Sequence, residues 1–295
     1  MQDEIQSQNT RLGILSAFGI LVIWSGFLVF SRAGVQTSLT PGDITMLRFA
    51  LAGAITVPFL WRWWPRQLPW WGAGLMVLCG PGAVYSMLTY EGLAQTSAAY
   101  GGIFTNASLP LFTVLVIVAV TGQWPARAQL VAIGIVVAGG VLFAAPGLMV
   151  TSENKAIGVV LLMATAAILS VYTFCLRYWR ITPRQALVLI NVPNAALILP
   201  LWALFLPSGL SGAAPEMIVG QTLFQALGPG FLAVILYALA AEHLGPAATA
   251  GFSAAVPATA ALLAVPVLGE HLNLVEWTGI GVVTLGLLLL VRARR

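Results

Sequence analysis

Charge is what this sequence most lacks. Only 7% of its 295 residues are Asp, Glu, Lys or Arg, against roughly 25% in ordinary soluble domains. A soluble fold of this length needs a charged skin, and this chain cannot make one. Cysteine is scarce as well. Cys79 and Cys175 both lie in apolar runs, which excludes a disulfide framework and points to buried filler. The two histidines, His243 and His271, have no second ligand four residues on, so no metal and no cofactor is expected. A Gly-rich phosphate loop is missing, so the chain does not hydrolyse ATP itself. Ten-residue alternating segments are missing too, which excludes a transmembrane barrel. The net charge of +4 comes from scattered basic residues, so nucleic acid is not an expected partner. The first ten residues carry Asp3 and Glu4 and lack a basic leader, so the first apolar run is expected to be retained.

What the chain has is apolar sequence, 59% of it, in runs of about 18–25 residues, long enough to cross a bilayer as helix. Ten spans are expected, at 12–33, 43–62, 69–90, 97–121, 127–146, 156–178, 184–206, 217–241, 246–268 and 273–292. One side of the layer would hold Arg11, Arg62, Arg66, Arg127, Arg177, Arg180, Arg184, Arg292, Arg294 and Arg295. The other would hold Arg32, Arg48 and Lys155, so both termini are expected in the cytoplasm. The tryptophans between spans two and three (Trp61, Trp63, Trp64, Trp70, Trp71) suit an interfacial belt.

The stretch from Tyr90 to Phe143 recurs, shifted by 147 positions, as Tyr237 to Leu290. Pro110 falls on Pro257, Gly122 on Gly269, Gly134 on Gly281 and Gly139 on Gly286, while Gln123 meets Glu270. Earlier spans repeat more weakly, with Gly13 on Gly158, Ser25 on Ser170 and Arg32 on Arg177. The expected fold class is therefore an all-α integral membrane protein whose ten helices form two five-helix repeats. Five is odd, so the halves must be inverted, the arrangement that suits alternating access. The expected division is a segment 1–11, a first repeat 12–146, a linker 147–155, a second repeat 156–292 and a tail 293–295.

Catalysis finds little support. Gly209-Leu210-Ser211-Gly212 spells the G-x-S-G of intramembrane serine proteases but sits in a proline-flanked loop, with no histidine on a later span at membrane depth. The chain is expected not to be an enzyme. The midplane is richer. Span four carries Gly102, Asn106 and Pro110 on one face, and the duplicate positions in span nine are Thr249, Ser253 and Pro257. Pro110 and Pro257 each remove a backbone hydrogen bond mid-span and are the expected hinges. Packing alone could account for these stripes; the alternative is that both helices line a central cavity. Asn106 needs a partner or a wet cavity. Trp24 and Ser25 in span one, Tyr85 in span three after Gly80-Pro81-Gly82, and Tyr172 in span six complete the expected lining. Aromatic rings with a few hydroxyls and one amide suit an amphipathic organic solute. No charged residue sits firmly at mid-depth, and Arg48 comes nearest.

In this layout the chain resembles the drug/metabolite transporter superfamily, specifically its EamA-type members. The resemblance covers about residues 12–292 and rests on Trp24-Ser25, Pro41, Arg48-Phe49, the span-four proline with Gly122, and Pro257 with Gly269-Glu270. The second copy departs from it, with Leu169-Ser170 and Ile190 where Trp-Ser and Arg48 would repeat. The resemblance implies export of amino acids or similar small metabolites, and the size and layout are similar to the YddG-type aromatic amino-acid exporters. The partners implied are a small-molecule substrate and the lipid bilayer, with the chain a monomer or weak homodimer. A proton-coupled exporter of lipophilic cations is the rival, drawing on Glu91 or Glu242 at span ends; a membrane enzyme is a distant third.

Overall fold

A computed structural model describes residues 2–149 and 153–293. The expected tail residues Arg294 and Arg295, and 150–152 of the expected linker, lie outside the described residues. The chain is 85% helical. Among the described residues ten helices are long and apolar enough to span: Thr10–Val35, Pro41–Trp63, Trp70–Gln95, Ala98–Thr121, Arg127–Gly147, Asn154–Tyr178, Pro183–Phe205, Pro215–Leu244, Ala248–Leu268 and Leu274–Arg292. The first helix extends back to Gln2, through the polar leader. Of the tryptophans between spans two and three, Trp61, Trp70 and Trp71 are 82%, 87% and 53% exposed, while Trp63 and Trp64 are half-buried.

Local sequence explains where helices start, stop and break. Spans two and seven both open on Thr-Pro with a reciprocal capping box, Thr40 with Asp43 and Thr182 with Gln185. Spans four and nine both end on a left-handed glycine, Gly122 (φ 68°) and Gly269 (φ 66°), a conformation glycine adopts without strain. Span three breaks at Gly80-Pro81-Gly82, between Trp70–Cys79 and Ala83–Gln95. Span eight breaks at the same tripeptide, Gly228-Pro229-Gly230, in a π-turn. That second copy lies one residue out of register with the 147-residue shift, which hides it from a gapless alignment. Spans four and nine break about a turn before their prolines. Gly102–Ala107 winds as a π-turn, and the helix stops at Ser253 before restarting at Val256. Pro110 and Pro257 therefore sit in the first turn of the helix that follows, where no N–H is needed.

Packing obeys a two-fold rule. Span one packs on eight as three packs on six; one on nine as six on four; two on eight as seven on three. Spans two and seven, four and nine, and five and ten meet their own counterparts. This is the pattern of two inverted halves exchanged by an axis in the membrane plane. Spans five and ten make the tightest of these contacts. A Cβ on Gly279 would lie 2.6 Å from the Phe143 backbone, and one on Gly139 2.7 Å from that of Val283. Their glycine faces thus serve a contact inside one chain.

The loop between spans seven and eight is stapled to the start of span two. Asp43, fully buried, accepts hydrogen bonds from Thr40 N (2.9 Å), Gly209 N (2.8 Å) and Trp202 Nε1 (2.8 Å). A side chain on Gly209 would overlap the Ser38 carbonyl, and Ser211 is exposed. The protease-like G-x-S-G is a docking loop whose first glycine permits close approach.

Candidate functional site

Gly102 sets the geometry of the centre. Its missing side chain lets span four lie on span nine, where a Cβ would come 3.0 Å from Pro257 Cα. From Ala98 to Ala107 nine of ten residues are buried, and this half of span four packs against Val256–Leu268 of span nine. The other halves, Leu109–Thr121 and Pro246–Ser253, have no comparable packing between them. Leu109–Thr121 has no buried residue at all. Spans four and nine therefore meet on the arginine-poor side and part toward the arginine-rich side.

Asn106 and Ser253 occupy matching places in this fork. Each lies about one turn from the Gly102–Pro257 crossing, toward the open side. Asn106 is half-buried, and its amide has no protein partner among the described residues. Ser253, also half-buried, donates to Thr249 O of its own helix (3.1 Å). Trp24 stands on the wall between spans one and eight, half-buried, its ring 6.0 Å from that of Tyr237. Ser25 is fully buried at the junction of spans one and nine, with Val256 O at 3.5 Å. The other two expected residues lie elsewhere. Tyr85 stacks on Phe27 at 6.5 Å in the closed half. Tyr172 is 6% exposed and packs with Phe49, Met76 and Leu189 among spans two, three, six and seven.

The closed side is sealed by polar groups. Arg32 Nη1 donates to the carbonyls of Leu93 (2.6 Å) and Ala94 (3.0 Å), placing a cation at the C-terminus of span three. Glu270 accepts from Ala98 N (2.9 Å), placing an anion at the N-terminus of span four. Deeper in, Gln225 donates to Ser31 Oγ (2.9 Å) and Gln221 Oε1 (3.1 Å) and accepts from Tyr90 OH (3.2 Å). Gln221 donates to Phe30 O (2.6 Å). Arg48, only 3% exposed, donates to Ser86 Oγ (3.3 Å) and Pro81 O (3.2 Å) and lies over the rings of Phe27 and Phe49. Asn194 of span seven accepts from Ala83 N (2.7 Å). Arg48 and Asn194 together satisfy backbone groups freed by the break in span three, as irregular backbone at membrane depth requires.

The sequence profile of the EamA-like transporter family matches residues 11–145 and again residues 156–292. This chain belongs to that family. A relative described as an uncharacterized transporter, YwfM of Bacillus subtilis (strain 168), is 26% identical over 290 residues, covering 94% of this chain and 95% of the other. A solved crystal structure shares the fold with a TM-score of 0.63 at 21% identity, covering 96% of this chain and 98% of that one.

Within this EamA chain the seal escaped a reading by composition. Glu270 stood out as a near match to Gln123 and Arg48 as the charge nearest mid-depth, and both among the residues of the family resemblance, but neither as a group that closes one side. Gln221 and Gln225 did carry a usable signal: two amides one turn apart in an apolar run must face each other or a partner helix.

Proposed function

We propose that this EamA transporter exports amino acids, aromatic or other neutral ones, or similar small metabolites across a bacterial cytoplasmic membrane by alternating access. Both termini would lie in the cytoplasm, and no catalytic step is assigned to the chain. The observation that carries this is the one-sided meeting of spans four and nine. With the arginine-rich face taken as cytoplasmic, the fork opens inward and the seal faces outward. Asn106, Ser253 and Trp24 border the fork and supply an amide, a hydroxyl and an indole, a set that fits an amphipathic organic solute.

The duplication supplies the second state. Leu93, Ala94 and Ala98 fall on Ala240, Ala241 and Gly245, while Arg32 falls on Arg177 and Glu270 on Gln123. Arg177 and Gln123 are exposed here, and the N-terminus of Pro246–Ser253 has no side-chain cap. When the halves exchange conformations, Arg177 closes on the end of span eight and Gln123 on the start of span nine. Pro110 and Pro257, just beyond the breaks, are the hinges in this scheme.

A proton-coupled cation exporter wants a carboxylate facing the fork. Of the acids that rival draws on, Glu91 and Glu242 are exposed at span ends, and the buried acids among the described residues, Asp43 and Glu276, are engaged in helix caps. The test is counterflow in liposomes preloaded with labelled amino acids, with and without a pH gradient. Saturable, pH-indifferent movement of neutral amino acids is expected. Movement of a lipophilic cation alone, driven by the proton gradient, would overturn the proposal.

A further inference from the structure

Outside the seal, on the arginine-poor face, lies a cavity of about 320 Å³ that the fork does not include. It is lined by the turn between spans three and four (Gln95, Thr96, Ser97), by Tyr100, by Lys155 at the start of span six, and by Glu270, His271 and Glu276. Two of its groups lack partners. Tyr100 is 3% exposed, and its hydroxyl has no hydrogen bond. Glu270 uses one carboxylate oxygen on Ala98 N, while the other is buried and unbonded. Lys155 Nζ sits 4.5 Å from the centre of the Tyr100 ring. Both groups pack closely on Gly147, whose missing side chain makes room for them: a Cβ there would lie 2.6 Å from Tyr100 OH and 2.8 Å from Lys155 Nζ.

Buried polar atoms without partners are costly, and here a hydroxyl and a carboxylate oxygen stand unbonded around one cavity, with the Lys155 ammonium beside them. We infer that this vestibule binds the zwitterionic head of an α-amino acid. Lys155 and Tyr100 OH take its carboxylate, and the free oxygen of Glu270 takes its ammonium. Arg32 lies near enough to Glu270 to interact with its charge, but the second Glu270 oxygen has no hydrogen bond; an inorganic anion would leave that oxygen unbonded, and a simple amine would leave Lys155 and Tyr100 without an anion. Glu276 adds a second acid on the ammonium side, although one of its oxygens already caps Asn273 N (2.8 Å). In the inward-open arrangement the vestibule is the release station beyond the seal. This rests on the amino-acid proposal above.

Lys155 is the chain's only lysine, which gives the site its own reporter. Reductive methylation with a ¹³C label keeps its charge and yields one side-chain signal, resolved from the terminal amine. The labelled protein in nanodiscs is titrated with L-phenylalanine, phenethylamine and 3-phenylpropionate. L-Phenylalanine is expected to shift the Lys155 signal saturably, with each half-ligand weaker by about tenfold or more. Tyr100→Phe and Glu270→Gln should each weaken the amino acid about tenfold, the latter while still able to accept from Ala98 N. No shift, or an equal shift from phenylpropionate that Glu270→Gln leaves unchanged, overturns the site. Phenylalanine counterflow on the same preparation separates the two claims. Counterflow without a Lys155 shift removes the vestibule and keeps the exporter, while a shift without counterflow does the reverse.

Discussion

Asn106 and Gly209 mark the two kinds of residue that matter in this chain, one for what its side chain offers and one for having none. The Asn106 amide borders the fork without a protein partner among the described residues, so Asn106→Ala should lower transport about tenfold while expression and melting temperature stay unchanged. Unchanged flux at normal expression would remove it from the site. Gly209→Ala meets the Ser38 carbonyl and should destabilise the loop by about 1–3 kcal/mol, read as a lower melting temperature. Ser211→Ala should change neither stability nor transport, and a loss of activity there would revive the protease-like reading. Asn106 could be singled out from sequence because an amide amid apolar neighbours is conspicuous. Arg48 was equally conspicuous, but its partners Ser86 and Pro81 belong to another span and cannot be found from spacing.

At the scale of elements, breaks do more than continuous helix. The Gly-Pro-Gly breaks in spans three and eight are sequence twins with unequal support. Asn194 and Arg48 satisfy the first, and no side chain does the same for the second among the described hydrogen bonds. The break in span three is thereby the better supported of the two. Asn194→Ala should cost about 1–3 kcal/mol by leaving the Ala83 N–H unpaired, and hydrogen exchange at Ala83 and its neighbours should rise. Protection as strong as in the unaltered protein would show that Asn194 does not hold this break. Helix number and approximate ends were legible from apolar run length, and the start and stop signals were local. Span three runs to Gln95, beyond the expected 90, because its polar last turn is held by Arg32 from span one. No local pattern carries a cap donated from another helix.

For the whole molecule, the inverted repeat was legible because Pro110, Pro257 and three glycine pairs keep register. Which mouth is closed was not, since the matched prolines and glycines fall alike in both halves. The choice is made by unlike residues at matched places, Glu270 where the first half has Gln123. An acid caps a helix N-terminus more strongly than an amide, which favours the seal on the Glu270 side. Arg32→Gln should weaken that seal and raise the share of outward-open molecules. The most direct test uses Asn106→Cys in a background with Cys79 and Cys175 replaced by alanine. A membrane-impermeant thiol reagent is applied to inside-out and right-side-out vesicles. With the fork open to the cytoplasm, the introduced thiol should react in inside-out vesicles and be protected in right-side-out ones, and Arg32→Gln should relieve that protection. Faster labelling in right-side-out vesicles would contradict the inward-open, outward-sealed arrangement on which the export mechanism rests.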